Sequence, residues 1–195
     1  MPRAGLNPSR VIHEAEQLAD EVGLAKLTLA GLATRLGIRQ PSLYKHLESL
    51  DALHAGIAIR AKYELADTVA RAAVGRSRSA AVIAMAHSYR DWAIAHPGRY
   101  AAIQRASTPD DHEATMADHA VVDVVMSVLA GYQLTDDDAI DATRALRAAL
   151  HGFVTLETCG GFGLPTSIDR SFDRLVQGLE VALAGWKDRA ERQAR

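Results

Sequence analysis

Apolar residues recur along this chain at three- and four-residue intervals, the spacing that gathers them on one side of an α-helix, and no convincing strand alternation interrupts it. The first such stripe is Val11, Ala15, Leu18 and Val22. Asn7 stands where an N-cap accepts a free amide, Pro8 occupies the first helical position, and Gly23 closes the segment. A second helix opens at Thr28, flanked by Leu27 and Leu32 at hydrophobic-staple spacing, and stops at Gly37 after about two turns. A third, short helix begins around Gln40-Pro41 and ends near Leu47. The segments then lengthen. One runs through Leu53, Ile57 and Leu65 to Gly75, and another from Ala80 to Ala95 is stopped by His96-Pro97-Gly98. A short piece carries Tyr100 and Ile103 before Ser107-Thr108-Pro109-Asp110 breaks it. The next spans about Glu113 to Ala130. Thr135 caps an eighth, with Asp136, Asp137 and Asp138 in its first turn where the helix dipole favours anions. After Gly160-Gly161-Phe162-Gly163-Leu164-Pro165 a last helix runs from Ile168 to about Ala190. The pattern predicts an all-α chain of about nine helices with a domain boundary near Leu50, giving residues 1–49 and 50–195.

Composition agrees. The 195 residues are 48% hydrophobic, 24% charged and 5% aromatic, an ordinary globular balance that can support a substantial core. No uninterrupted apolar run approaches the roughly 18 residues of a membrane span. The stretch from Met1 to Asn7 lacks a signal peptide's apolar core, so the expected address is cytoplasmic and no membrane partner is expected. Cys159 is the single cysteine, which excludes an intrachain disulfide. A net charge of −2 argues weakly against nucleic acid, but distribution matters more than the sum. Residues 35–46 hold Arg35, Arg39 and Lys45 and no acid.

That basic stretch falls in the segment TLAGLATRLGIRQPSLYKHL, Thr28 to Leu47. Two short amphipathic helices around Gly37 have the spacing of a helix-turn-helix, whose second helix enters the major groove. Ile38, Leu43 and Leu47 turn inward. Arg39, Gln40, Pro41, Ser42, Tyr44, Lys45 and His46 face outward. Gln can bond adenine in a bidentate manner, arginine can read guanine, and Pro41 offers an apolar face to a thymine methyl. Tyr44, Lys45 and His46 suit phosphates, which position without reading sequence. The plainer alternative is a helical hairpin with a solvated basic face.

The complete string resembles the tetracycline-repressor (TetR) family, which shares a three-helix N-terminal domain and a Pro-x-Leu-Tyr-x-His signature, here Pro41 to His46. The resemblance implies that Thr28 and Tyr44 hold phosphates and that Gln40, Pro41 and Ser42 face bases. Two positions depart from the family pattern. A base-reading arginine found in some members is Ala30, and a phosphate-gripping lysine at the head of the linking helix is Leu50. The second implies a salt dependence smaller by about one phosphate contact. Further on, His151-Gly152-Phe153 and the later glycine loop look like a regulatory subtype named for a Trp-His-Gly motif, with Leu150 in place of tryptophan.

The remaining chemistry is sparse. His112, Glu113, Asp118 and His119 cluster, but the two histidines lie two helical turns apart, too far to share a metal easily. No catalytic motif and no cofactor-binding motif is present, so the chain is read as a non-enzyme that needs no cofactor. His151 reads either as a hydrogen-bonded core residue or as a ligand contact. Met85, Tyr89 and Trp92 form a stripe at i, i+4 and i+7. With His151 and Phe153 opposite, it is either plain core or the lining of an effector pocket. Leu146, Leu150, Phe172, Leu175, Leu179, Ala182 and Trp186 give the last helices an apolar face wide enough for a four-helix homodimer interface. The expected function is a homodimeric repressor, released from a palindromic operator by a small apolar or aromatic ligand. A ligand-independent regulator or an activator on the same fold is the alternative.

Overall fold

The computed structural model describes residues 6–105 and 111–186. The first helix, α1 (Pro8–Val22), starts as its sequence dictates: the Asn7 side chain accepts the Arg10 amide at 2.9 Å, and Gly23 ends the helix at φ +87°. After a single 3-10 turn (Leu24–Lys26), α2 (Leu29–Leu36) is capped by Thr28 and stopped by Gly37 in the left-handed region, where glycine carries no Cβ penalty. The next segment, Gln40–Lys45, is a 3-10 helix. Then come α3 (Leu50–Ala73), α4 (Arg78–Ala95), α5 (Pro97–Ile103), α6 (His112–Leu129) with a 3-10 turn at Ala130–Tyr132, α7 (Asp136–Thr158) and α8 (Ile168–Ala184).

Among the described residues the fold is all-α, eight α-helices and the 3-10 segment at Gln40–Lys45 filling the nine expected places. Differences are local. The third segment winds as a 3-10 helix through i→i−3 bonds such as Ser42 N to Arg39 O at 2.9 Å, a tighter coil usual in short pieces. Thr135 holds the N-cap position of α7, but its hydroxyl makes no capping bond. α4 ends at Ala95, where His96-Pro97-Gly98 is expected to stop it, and Pro97 also starts α5 at a position where its missing N–H costs nothing. α8 ends at Gly185; the expected continuation to Ala190 reaches residues outside those described. The expected break at Ser107-Thr108-Pro109-Asp110 also lies outside them, as does the start of the Met1–Asn7 stretch.

The chain divides into two compact units. One is drawn from Met1–Glu64 and Ala95–Asp118, the other from Leu65–Ile94 and His119–Arg195. The core of the first unites Val11, Ala15 and Ala19 of α1 with Leu32, Leu43, Leu53, Ile57 and Ala102, all essentially inaccessible. Each buried Leu or Ile there contributes about 1.5–3 kcal/mol relative to exposure. In the second unit, Ala86 of α4 packs with Leu150 of α7 and Phe172 and Val176 of α8. The stretch His112–Tyr132 is long and apolar enough by composition to cross a membrane. In this fold its Ala114 and Ala117 pack on Ile59, and its Asp118 pairs with the buried Lys62 of α3.

Candidate nucleic-acid interface

Leu43 fixes the geometry of the basic segment. Its side chain is fully buried, Ile38 and Leu47 lean on the same core, and the neighbouring side chains are thereby turned out. Arg39, Gln40, Pro41, Tyr44 and Lys45 are exposed, Tyr44 by 55%, while Ser42 and His46 are half-buried. The structure thus presents together, on one short helix and its two cap positions, seven of the eight residues singled out for DNA. The eighth, Thr28, is exposed at the N-terminus of α2, where its hydroxyl oxygen accepts the Gly31 amide at 3.1 Å. A hydroxyl that accepts in this way keeps its hydrogen to donate outward. Leu50, which replaces a phosphate-gripping lysine in the resemblance, packs against the core at the head of α3.

One cation of the basic stretch is spent internally. Arg35 reaches back to α1, its Nη1 2.7 Å from Glu21, Nε 3.1 Å from Glu14 and Nη2 3.0 Å from Gln17. Its hydrogen bond holds the Glu21 carboxyl below the usual range. Local positive charge therefore rests on Arg39 and Lys45, neither of which forms an ion pair among the described residues.

The residues read as an effector lining do not all keep a surface. Met85 and Trp92 are 2% and 5% exposed and serve as core. Tyr89 and Phe153 both pack against the cluster around Phe172, and Phe162 from the glycine loop lies tilted against Phe153 with ring centroids 4.8 Å apart. His151 is half-buried on α7, 3.5 Å from the Thr155 hydroxyl. Burial first, then the nearby Arg147 charge, lowers its pKa.

The interface residues divide in the same way. Leu146, Leu150 and Phe172 are 2%, 4% and 0% exposed within the single chain, so their place is the core and they have no surface to offer a second copy. Leu175, Leu179, Ala182 and Trp186 are partly exposed. The open flank of these helices instead carries Ala148, Leu156, Gly178 and Val181.

Sequence reasoning missed Arg90. Its guanidinium is buried against the Phe172 ring at 4.9 Å, with Nε 2.8 Å from Glu157 and Nη2 2.7 Å from Asp169, tying α4 to α7 and α8. The Glu157 hydrogen bond, ahead of the Asp169 one, raises its pKa. The available signal was a lone arginine four residues after Ala86 and three before Ala93, inside an apolar stripe. Among the described residues no group of three or more His, Cys, Asp or Glu is placed to hold a metal ion.

Comparison with known proteins extends the picture beyond the motif. Residues 82–179 match a family model described as "Tetracyclin repressor-like, C-terminal domain"; this description does not name the Trp-His-Gly subtype. The chain is 39% identical over 158 residues to the HTH-type transcriptional regulator Rv0681 of Mycobacterium tuberculosis, covering 80% of this chain and 72% of that one. It is 34% identical over 155 residues to the HTH-type transcriptional regulator YobS of Bacillus subtilis, covering 80% and 81%. A substituted TetR from Acinetobacter baumannii AYE, solved in complex with minocycline, has the same fold with a TM-score of 0.67 at 24% identity, covering 94% of this chain and 98% of that one. The chain therefore belongs to the TetR family of helix-turn-helix transcriptional regulators, which act by binding DNA and not by catalysis.

Proposed function

We propose that the chain is a homodimeric repressor in which residues 1–49 read a palindromic operator and residues 50–195 dimerise and sense a small molecule. The observation that carries the reading is the buried Leu43 anchoring a short helix whose other side chains from Arg39 to His46 are turned outward. Gln40 bonds an adenine edge, Pro41 and Ser42 lie against neighbouring bases, and Arg39 reads guanine. Thr28, Tyr44, Lys45 and His46 hold the phosphate backbone and set the register. Two copies related by a twofold axis place two such segments one helical turn apart, about 34 Å, which makes the operator an inverted repeat.

The effector is mostly apolar with one or two hydrogen-bonding groups, meeting Tyr89, His151 and Phe153 while Met85 and Trp92 support them from the core. It acts by binding the form that does not fit DNA better than the form that does. The minocycline bound by the A. baumannii repressor supports effector sensing on this fold.

Selection of bound duplexes from a random DNA pool tests the reading, with an inverted repeat as the expected product. On that repeat, Gln40→Ala relaxes preference at one base pair per half-site, at a cost on the order of 1–3 kcal/mol each. Tyr44→Phe weakens all sequences alike. Enrichment of nothing, or of sites without symmetry, overturns the proposal.

A further inference from the structure

The second unit contains a cavity that the regulatory reading does not use. Its volume is about 350 Å³, and its walls are Ala73 and Val74 at the end of α3, Ala81 near the start of α4, and Val124 and Val128 on α6. It opens to solvent on one side, where Val74 is largely exposed, and small and branched apolar residues line the rest. That volume lies within the roughly 300–1,000 Å³ of small-molecule sites. The polar lining is confined to Arg76, Ser77 and Ser127. Ser127 has already given its hydroxyl hydrogen to the Asp123 carbonyl at 2.8 Å. Arg76 is different. Its Nη1 donates to the Ala72 carbonyl at 2.9 Å, which holds the guanidinium at the end of α3, and it forms no ion pair among the described residues. A guanidinium has five N–H donors in a planar fork suited to a carboxylate, so most of this fork remains for a ligand.

We propose that this cavity binds a medium-chain carboxylic acid, the aliphatic tail among the Ala and Val side chains and the carboxylate on Arg76. One cation favours a singly charged head over a polyphosphate. The apolar walls favour a hydrocarbon tail over a sugar, whose hydroxyls would be left unpaired there. The site is distinct from Tyr89, His151 and Phe153 and does not depend on the chain being a repressor.

Calorimetric titration of the full chain with sodium octanoate, sodium hexanoate and the neutral octanamide tests it. Octanoate binds saturably, and affinity rises about fourfold per methylene between hexanoate and octanoate. Arg76→Gln, at an exposed position, weakens octanoate about tenfold and leaves octanamide unchanged. Ala73→Phe, which fills the cavity, abolishes both. If Ala73→Phe fails to fold, the Arg76→Gln comparison and methyl NMR shifts of Val124 and Val128 on adding octanoate decide the matter. The proposal is overturned if octanoate does not saturate at millimolar concentration, if chain length has no effect, or if Arg76→Gln treats acid and amide alike. Failure to enrich any DNA site would remove the repressor reading and leave this result standing.

Discussion

Among the described residues Arg35, Arg90 and Arg99 each bridge two carboxylates: Arg35 joins Glu14 and Glu21, Arg90 joins Glu157 and Asp169, and Arg99 joins Asp20 and Glu64. They differ in how much water surrounds the pair, and that decides what each is worth. Arg90 and Glu157 are nearly enclosed, whereas Asp169 is 81% exposed. Arg90→Ala strands a buried carboxylate, and denaturant unfolding should show a loss of about 3–5 kcal/mol. Asp169→Asn removes only a solvated partner and should cost less than about 1 kcal/mol. His54 gives a different readout. It is buried in α3 with Nδ1 3.0 Å from the Arg105 guanidinium. Burial first and the Arg105 charge second hold its pKa below the ordinary 6.5, against a smaller opposing pull from Asp51. The folded ring stays neutral where the unfolded one would take a proton, so its stabilisation is complete above about pH 6.5 and is lost as pH falls below that value. Thermal unfolding midpoints should therefore drop on acidification below pH 6.5. His54→Gln should flatten part of the drop and leave the share owed to His151, whose pKa is lowered too.

At the scale of elements, the contact between α1 and α5 is as close as backbones allow. A Cβ added at Gly98 would stand 2.1 Å from the Ala19 carbonyl carbon and oxygen, and the next residue, Arg99, gives its amide and Nε to Asp20 at 2.9 and 2.7 Å. Both sides of the Gly98 contact are backbone, so no rotamer change relieves it. Gly98→Ala should cost at least about 1–3 kcal/mol in urea unfolding by prising α5 from α1. None of this was legible in the sequence, where Pro97-Gly98 reads as a helix stop. A proline that ends one helix and opens the next carries the same letters in both roles, and the glycine's reason lies on a helix some eighty residues earlier. The elements themselves were legible because their apolar spacing and caps are local properties. Asn7, Thr28, Gly23 and Gly37 do what their chemistry predicts. The outward set from Arg39 to His46 was legible as well, since it follows from Leu43 turning inward. What local pattern cannot assign is the identity of an apolar helix face. The apolar stripe put Leu146, Leu150 and Phe172 at a dimer interface, whereas their burial within the single chain, which a stripe alone does not reveal, places them in the core. Arg35 was counted with the basic stretch for the same reason, because its partners Glu14 and Glu21 come from another helix.

For the molecule as a whole, the proposed repressor requires two copies, and burial narrows where they meet. With Leu146, Leu150 and Phe172 committed to the core, the surface left on α7 and α8 combines small positions with a few apolar ones. Ala148, Gly152 and Leu156 follow one flank of α7, and Gly178 and Val181 follow one flank of α8, with Leu156 47% and Val181 68% exposed. A Cβ added at Gly152 or Gly178 would meet nothing within 4 Å, so neither glycine is required by the packing of its own chain. Both permit close approach of another helix, as small residues do where helices cross tightly. Val181→Glu places a charge on this flank without touching the core. Light scattering should then move from twice the 21.0 kDa chain mass to that mass, with helical circular dichroism and melting of the subunit retained. A monomer grips one half-site, so its affinity for the full inverted repeat should fall to that for a half-site, and the salt dependence of binding should fall by about half, with half the phosphates contacted. If Val181→Glu and Gly178→Arg both leave the dimer intact, the two copies meet through another surface. If the wild-type chain scatters as 21.0 kDa at micromolar concentration, the palindromic operator is lost together with the dimer.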